Sequence, residues 1–260
     1  MTIEWRAAHP ALYPFVIGFV EHTAATMAGA SIEFPFAIPV IHIALSEAPG
    51  PGIVISGGMT IRRAAPPRAA LQTFVIALGF SGVTLLSPQP ASEVVDRFVD
   101  IDDAFWSSLR RRLCEAPDFA PRAAIVEQTL FKRIASSNRV ASASFKAADA
   151  IAHDRWSGPI RELARRCGVE ERTLRNHFRR DLGWSPKQLL RVARFNRALR
   201  TLHPRPWSGR VAQDVRLEFF DDSHFFREFH AHAGISPAAF VAAKTRSGDA
   251  MLHRLMTDSL

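Results

Sequence analysis

Two cysteines in 260 residues are too few for a disulfide framework. No apolar run reaches the ~20 residues that a membrane-spanning helix requires. The longest, Leu71 to Leu86, is interrupted by Gln72, Gly79 and Gly82. Met1-Thr2-Ile3-Glu4-Trp5-Arg6 lacks the basic start and apolar stretch of a secretion signal, so Cys114 and Cys167 are expected as reduced thiols in a soluble cytoplasmic protein. The sequence also contains no Gly-x-Ser-x-Gly, no phosphate-cradling glycine loop and no paired carboxylates outside helix starts, so no catalytic residue is assigned and the chain is not read as an enzyme. His22 and His42 lack ligand spacing, and His224, His230 and His232 do not share one helix face; neither metal nor cofactor is expected. Arg110-Arg111-Arg112 precede Cys114 and would favour its thiolate, but a partly buried, inert thiol is the plainer reading.

What is present is an ordinary globular composition, 47% hydrophobic and 22% charged, which excludes wholesale disorder. At roughly 150 residues per domain, the length suggests about two domains. The net charge of +8 is unevenly placed. Residues 1–150 hold 13 basic and 13 acidic side chains, whereas residues 161–210 hold 14 basic and 4 acidic. Residues 211–260 return to a net −2. A local excess of cations suits a polyanion, because neutralising phosphates releases their counterions. A solvated arginine face would carry the same charge.

The first hundred residues read as strands and turns. Ile32 to Leu45 contains Pro35 and Pro39, which fits an edge strand or two short strands. Ile53 to Ile55, Leu71 to Leu78 and Gly82 to Leu86 are further strand candidates, separated by glycine and proline turns. This pattern predicts a small antiparallel barrel or sandwich. Beyond Asp102 the period changes: Phe105, Leu109 and Leu113 recur every four residues behind an acidic first turn, and Ile125, Thr129, Leu130 and Ile134 mark a second helix. Ser142 to Ala152 reads as a third helix or a linker.

An internal repeat dominates the remainder. Leu174, Phe178, Gly183, Ser185 and Pro186 are matched at an offset of 51 by Phe225, Phe229, Gly234, Ser236 and Pro237. Each copy places an apolar pair at i and i+4, a glycine where a helix must stop, and a serine cap before a proline-led helix. Ahead of the first copy, Ile160, Leu163, Ala164 and Cys167 define a short helix broken at Gly168-Val169, and a second runs from about Glu170 to Leu182. Helix, glycine turn and helix form a helix-turn-helix. With Leu174 and Phe178 inward, Arg172, Arg175, Asn176 and Arg179 face outward, where arginine can read guanine and asparagine adenine. The second copy comprises a helix at 209–217, a turn at 218–221, and a helix from Asp222 to about Ala233 capped by Asp221 or Ser223. Between them, Lys187 to Leu202 predicts a rod of ~24 Å, which would hold the two readers for grooves ~34 Å apart. Trp184 is expected to pack on this rod.

This stretch resembles the AraC/XylS-type transcriptional regulators. The resemblance rests on Ile160-x-x-Leu163-Ala164, Gly168-Val169, Leu174, Phe178, Gly-x-Ser-Pro at 183–186 and Arg194-x-x-x-Ala198. It continues through Phe219 to Phe229 and Gly-x-Ser-Pro at 234–237, about 90 residues in all. Residues 1–115 are similar to the uncharacterised N-terminal domain of some such regulators, notably from Leu78-Gly79-Phe80 to Asp102-Asp103. The resemblance implies base contacts from Arg172, Arg175 and Asn176, and from Asp222, Ser223 and Arg227. Where the family has serine at the start of the first recognition helix, this chain has Glu170, forfeiting a cap of about 1 kcal/mol. Glu218 and Asp214 replace the family's glycine and alanine in the second unit, which is therefore expected to bind DNA weakly.

The expected fold is α+β and multidomain: a barrel- or cupin-like β domain followed by helices (1–140, sensing or dimerising), a linker (141–154), an all-α domain of two helix-turn-helix units (155–245) and a tail (246–260). The unit cores are expected at Leu163, Ala164, Gly168, Leu174, Phe178 and Pro186, and at Phe225, Phe229 and Pro237. Phosphate contacts are expected from Arg179, Arg180, Lys187, Arg191 and Arg194. The expected partners are double-stranded promoter DNA and RNA polymerase, with a small-molecule effector and a second copy of the chain as further candidates. No membrane is expected. The competing readings are a nonspecific nucleic-acid-coating protein and an enzyme–regulator fusion using Cys114, although the neighbours of Cys114 do not resemble the catalytic cysteine domain fused to some members of the family.

Overall fold

The computed structural model describes residues 2–23, 31–46, 52–65, 72–137, 141–202, 219 and 221–243. Eight strands come first: β1 (Thr2–Ala7), β2 (Val16–Thr23), β3 (Ser31–Glu33), β4 (Val40–Ala44), β5 (Ile53–Ser56), β6 (Arg63–Ala65), β7 (Gln72–Leu78) and β8 (Val99–Asp100). Six form one antiparallel sheet in the order β1-β2-β7-β4-β5-β8, and β3 pairs with β6. Ile32 to Leu45 thus divides into two short strands at Pro35 and Pro39. Ile3 and Trp5 alternate with Glu4 and Arg6, a period-two signal for β1 that adds to the strands expected from the sequence.

The near-continuous apolar run of β7 follows from its central place, with both faces of the sheet covered. Phe74, Ile76 and Leu78 join a core with Trp106, Leu109, Leu113, Val126 and Leu130. Val75 and Ala77 join Val20, Val40, Phe36 and Met59 on the other face. The first core is roofed by α3 (Ala104–Glu115) and α4 (Phe119–Ala135), which start at Asp103 and Asp118, each accepting first-turn amides. Arg122 of α4 pins this layer: it forms a 2.6 Å buried ion pair with Glu21 of β2 and donates to the carbonyls of Leu113 and Ala116.

One segment differs from its sequence reading. Gly82 to Leu86, expected as a strand, belongs to helix α1 (Phe80–Leu86), followed by α2 (Ala91–Val94). A short apolar run buried on all sides does not distinguish the two. Here Gly79 and Gly82 serve close approach, since a Cβ at either would lie 2.0 Å from a carbonyl oxygen, of Pro14 or of Phe15. The cap comes from far away: Asp149 accepts the amides of Phe80 and Ser81 at 2.5 and 3.2 Å.

Asp149 lies on α5 (Ala143–Ala152), within the segment expected as a linker. Ala147, Ala148 and Ile151 of this helix are fully buried in the core that also contains the sheet and the first helix-turn-helix unit. Among the described residues, one core thus runs from the sheet into the first helix-turn-helix unit.

Candidate nucleic-acid interface

The first unit is built as its spacing predicts. Helix α6 (Ile160–Arg166) buries Leu163 and Ala164, and Gly168 takes φ +70° at the turn. Helix α7 (Glu171–His177) then continues through a π-helical turn, Phe178–Leu182, into Gly183 at φ +70°. Glu170 starts α7 without a side-chain hydrogen bond. Leu174 and Phe178 are fully buried, so the opposite face of the same helix is forced outward. Arg172, Arg175, Asn176 and Arg179 are all exposed there and, with Glu171 and Ser185, line a shallow cleft of about 390 Å³.

Helix α8 (Pro186–Leu202) opens with a reciprocal cap, in which Ser185 Oγ accepts the Gln188 amide while Gln188 Oε1 accepts the Ser185 amide. Helix α9 (Asp222–Ala233) starts at Asp221, whose carboxylate accepts the His224 amide at 2.6 Å, and stops at Gly234 with φ +70°. It is followed by α10 (Pro237–Ala243). Phe225 and Phe229 are buried with Phe195, Phe240 and Phe34. Ser223 and Arg227 are exposed on the outer side of α9, and Asp222 is half-buried in its first turn. Phe226 lies between them, 39% exposed. Of the second unit, the helix expected at 209–217 lies outside the described residues.

The cations expected on phosphates have different surroundings. Lys187 and Arg179 are exposed. Arg180 is exposed and pairs with Asp181 at 2.6 Å. Burial would raise the Asp181 carboxyl, but hydrogen bonds from Arg180 and Ser144 outweigh it and hold the group below its ordinary value. Arg191 meets Glu228 through two hydrogen bonds of 3.1 and 2.8 Å, tying α8 to α9. The guanidinium of Arg194 lies over the ring of Phe219 at 5.6 Å.

Three features escape the sequence reading. Trp184 packs on the β domain as well as on its own unit: it is fully buried, edge-on to Phe80 at 6.4 Å and close over Gly58. Cys114 is exposed rather than partly buried, its Sγ donating to the Leu45 carbonyl at 3.6 Å, while Arg110 donates to the flanking carbonyls of Ala44 and Ser46 and Arg112 to Thr129 Oγ1. Glu171, not singled out by the motif, forms an ion pair with Arg175 in which Nε and Nη2 both donate to Oε1, at 2.9 and 2.5 Å. Its only sequence signal is an acid four residues before an arginine on a helix.

Residues 163–243 match a family described as a helix-turn-helix domain. Among solved structures, the chain is similar to the apo form of a point variant of ToxT from Vibrio cholerae strain SCE256. The TM-score is 0.50 and the identity 8%, covering 91% of this chain and 99% of that one. ToxT from Vibrio cholerae O395 aligns with a TM-score of 0.47 and 10% identity over 88% and 99% of the two chains. At these identities the likeness is one of fold. No curated protein matches the sequence.

Proposed function

Starting from residues 163–243 as an AraC-type helix-turn-helix domain, we propose that the chain is a transcriptional regulator that recognises promoter DNA by sequence. The carrying observation is the outer face of α7. Arg172, Arg175, Asn176 and Arg179 are presented together to solvent by a helix whose other side is anchored through Leu174 and Phe178. Such a helix fits the major groove, where an arginine fork matches guanine O6 and N7 and an asparagine amide matches adenine.

In this reading Arg172, Arg175 and Asn176 supply the first unit's base contacts, and Asp222, Ser223 and Arg227 supply weaker contacts from the second. Lys187, Arg179 and Arg180 are the principal phosphate contacts, with Arg194 beside them, while the chief role of Arg191 is to hold Glu228. Promoter DNA is the first partner and RNA polymerase the machinery whose access it alters. The domain of residues 1–140 senses an effector or pairs two copies of the chain.

The test is selection of duplexes from a random pool by the full chain, followed by competition of the winning sequence against bulk DNA at fixed salt. A specificity ratio of about 10³ or more supports the proposal. A ratio near one replaces it with nonspecific coating of nucleic acid.

A further inference from the structure

An arginine on the outer face of a recognition helix has two competing destinations in a DNA complex. The backbone phosphates attract it by charge, and guanine attracts it by geometry. A flexible side chain distributes itself between them, so what restrains the guanidinium decides how much of its interaction depends on sequence. Among the described residues no carboxylate is hydrogen-bonded to Arg172 or Arg179, whereas Arg175 has one.

The restraint has a definite form. Glu171 is the first residue of α7, one helical turn before Arg175, and its Oε1 receives both the Nε–H and one Nη2–H. This occupies the side edge of the guanidinium. Of its five N–H donors three remain: one on Nη1 and the outer one on Nη2 lie along the end edge, and the second on Nη1 points back beside Cδ. That edge is a two-donor fork of the kind that meets guanine O6 and N7. Glu171 also brings its negative charge to the cleft that Arg175 lines, where a carboxylate repels phosphate and can accept a hydrogen bond from a cytosine amino group. The pair is itself exposed, with side chains 35% and 47% accessible, so it contributes little to folding. Its consequence is directional.

Resting on the DNA-reading function above, we infer that Glu171 is a positioning residue that fixes Arg175 end-on toward a guanine and so sets sequence discrimination rather than affinity. Removing the acid frees Arg175 to reach phosphates and removes a negative charge from the interface.

The experiment uses the full chain and the duplex selected by the wild-type protein, with binding measured by fluorescence anisotropy on that duplex, on single-pair variants and on bulk DNA. Glu171→Ala is expected to reduce discrimination at one G·C pair about five- to tenfold, a fraction of a full bidentate contact, while leaving bulk binding unchanged or tighter. Glu171→Gln, which keeps an acceptor oxygen without the charge, is expected to restore part of that loss. In the Arg175→Ala background, Glu171→Ala should cost nothing further at that pair. Three results overturn the inference: equal tightening on every duplex, unchanged discrimination, or a loss of the same size in the absence of Arg175. A wild-type protein that selects no sequence defeats the DNA-reading proposal itself, and is seen before any variant is made.

Discussion

The side chain of Asn196, buried in α8, accepts the backbone amide of Ala37 at 2.9 Å. Its amide nitrogen donates in return to the carbonyl of Pro35 at 2.8 Å. A single carboxamide therefore supplies, to a stretch of the β domain that Pro35 and Pro39 keep from continuous strand pairing, the two hydrogen bonds that a neighbouring strand would give. Phe34, beside it, enters the aromatic core of the second unit against Phe195 and Phe240. Helix α8 and the aromatic core of the second unit are thus fastened to one short segment.

Replacing Asn196 by alanine leaves a buried donor and a buried acceptor unpaired. Each such group costs about 1–3 kcal/mol, so Asn196→Ala should lower the unfolding free energy by about 2 kcal/mol or more in urea titration. Asn196→Asp keeps the acceptor for Ala37 but places a buried carboxylate against the Pro35 carbonyl, and should be at least as damaging. A loss under about 0.5 kcal/mol for either variant would mean that water replaces the carboxamide.

The two recognition helices should contribute unequally. Arg175 lies in a segment with a large excess of cations, whereas Arg227 projects from α9, flanked by Asp222 and Glu228. Arg175→Ala is expected to weaken binding to the selected duplex by at least tenfold, in line with the loss of one bidentate base contact of about 1–3 kcal/mol. Arg227→Ala should cost less, and equal losses in competition titrations would contradict the asymmetry.

Lys187 and Arg191, one helical turn apart at the start of α8, should respond differently to substitution. Lys187 is exposed, and a phosphate contact there predicts that Lys187→Ala reduces the slope of log affinity against log salt by about 1. Arg191 is already committed to Glu228, so Arg191→Ala should mainly destabilise the junction between α8 and α9 and change the slope by less. Burial would raise the Glu228 carboxyl, yet the hydrogen bonds from Arg191 hold it below its ordinary value, so the variant should also bring its titration back up. Salt-dependent anisotropy and urea melts on both variants separate the two effects.

Much of the helix-turn-helix half was legible because its determinants are local. Gly183 and Gly234 adopt the positive φ that a helix stop five residues after a phenylalanine demands, and Ser185 caps where serine before proline indicates. The run at β7 was legible for the same reason, as a near-continuous apolar stretch of strand length. What the sequence concealed depends on partners far along the chain. Helix α1 takes its cap from Asp149, 69 residues from Phe80, and α5 hides its burial behind small residues, since Ala147 and Ala148 carry little periodic signal. Trp184 gives no local indication that Phe80 and Gly58 await it. At the candidate interface, exposure of the arginines followed from the inward Leu174 and Phe178, but the pairing of Glu171 with Arg175 required the side-chain geometry.

Asp149 and His153 lie one turn apart on the buried side of α5 and its end, and their titrations oppose each other. Burial raises the Asp149 carboxyl from its ordinary 3.8 to about 6, despite hydrogen bonds from Ser81 and the Phe80 amide and the attraction of Arg155. Burial lowers the His153 imidazole from 6.5 to about 4, with Arg155 acting in the same direction. Tyr13 closes the group, its ring 5.8 Å from that of His153 and 4.9 Å from the Arg155 guanidinium. A carboxyl raised by folding stabilises the native state below pH 3.8, and this contribution is lost as the pH climbs to about 6. An imidazole lowered by folding does the reverse: its contribution is complete above pH 6.5 and is lost as the pH falls to about 4. Displacements of this size are worth about 3 kcal/mol each, so in the wild-type chain the two largely cancel between pH 4 and 6.5. Asp149→Asn, which keeps an acceptor for the Phe80 amide, should therefore gain stability relative to wild type as the pH rises across that window. His153→Leu should lose stability relative to wild type over the same range. Urea unfolding at pH 4, 5, 6 and 7 reads both differences, and slopes parallel to wild type for both variants would show that neither group is held off its ordinary titration by the fold.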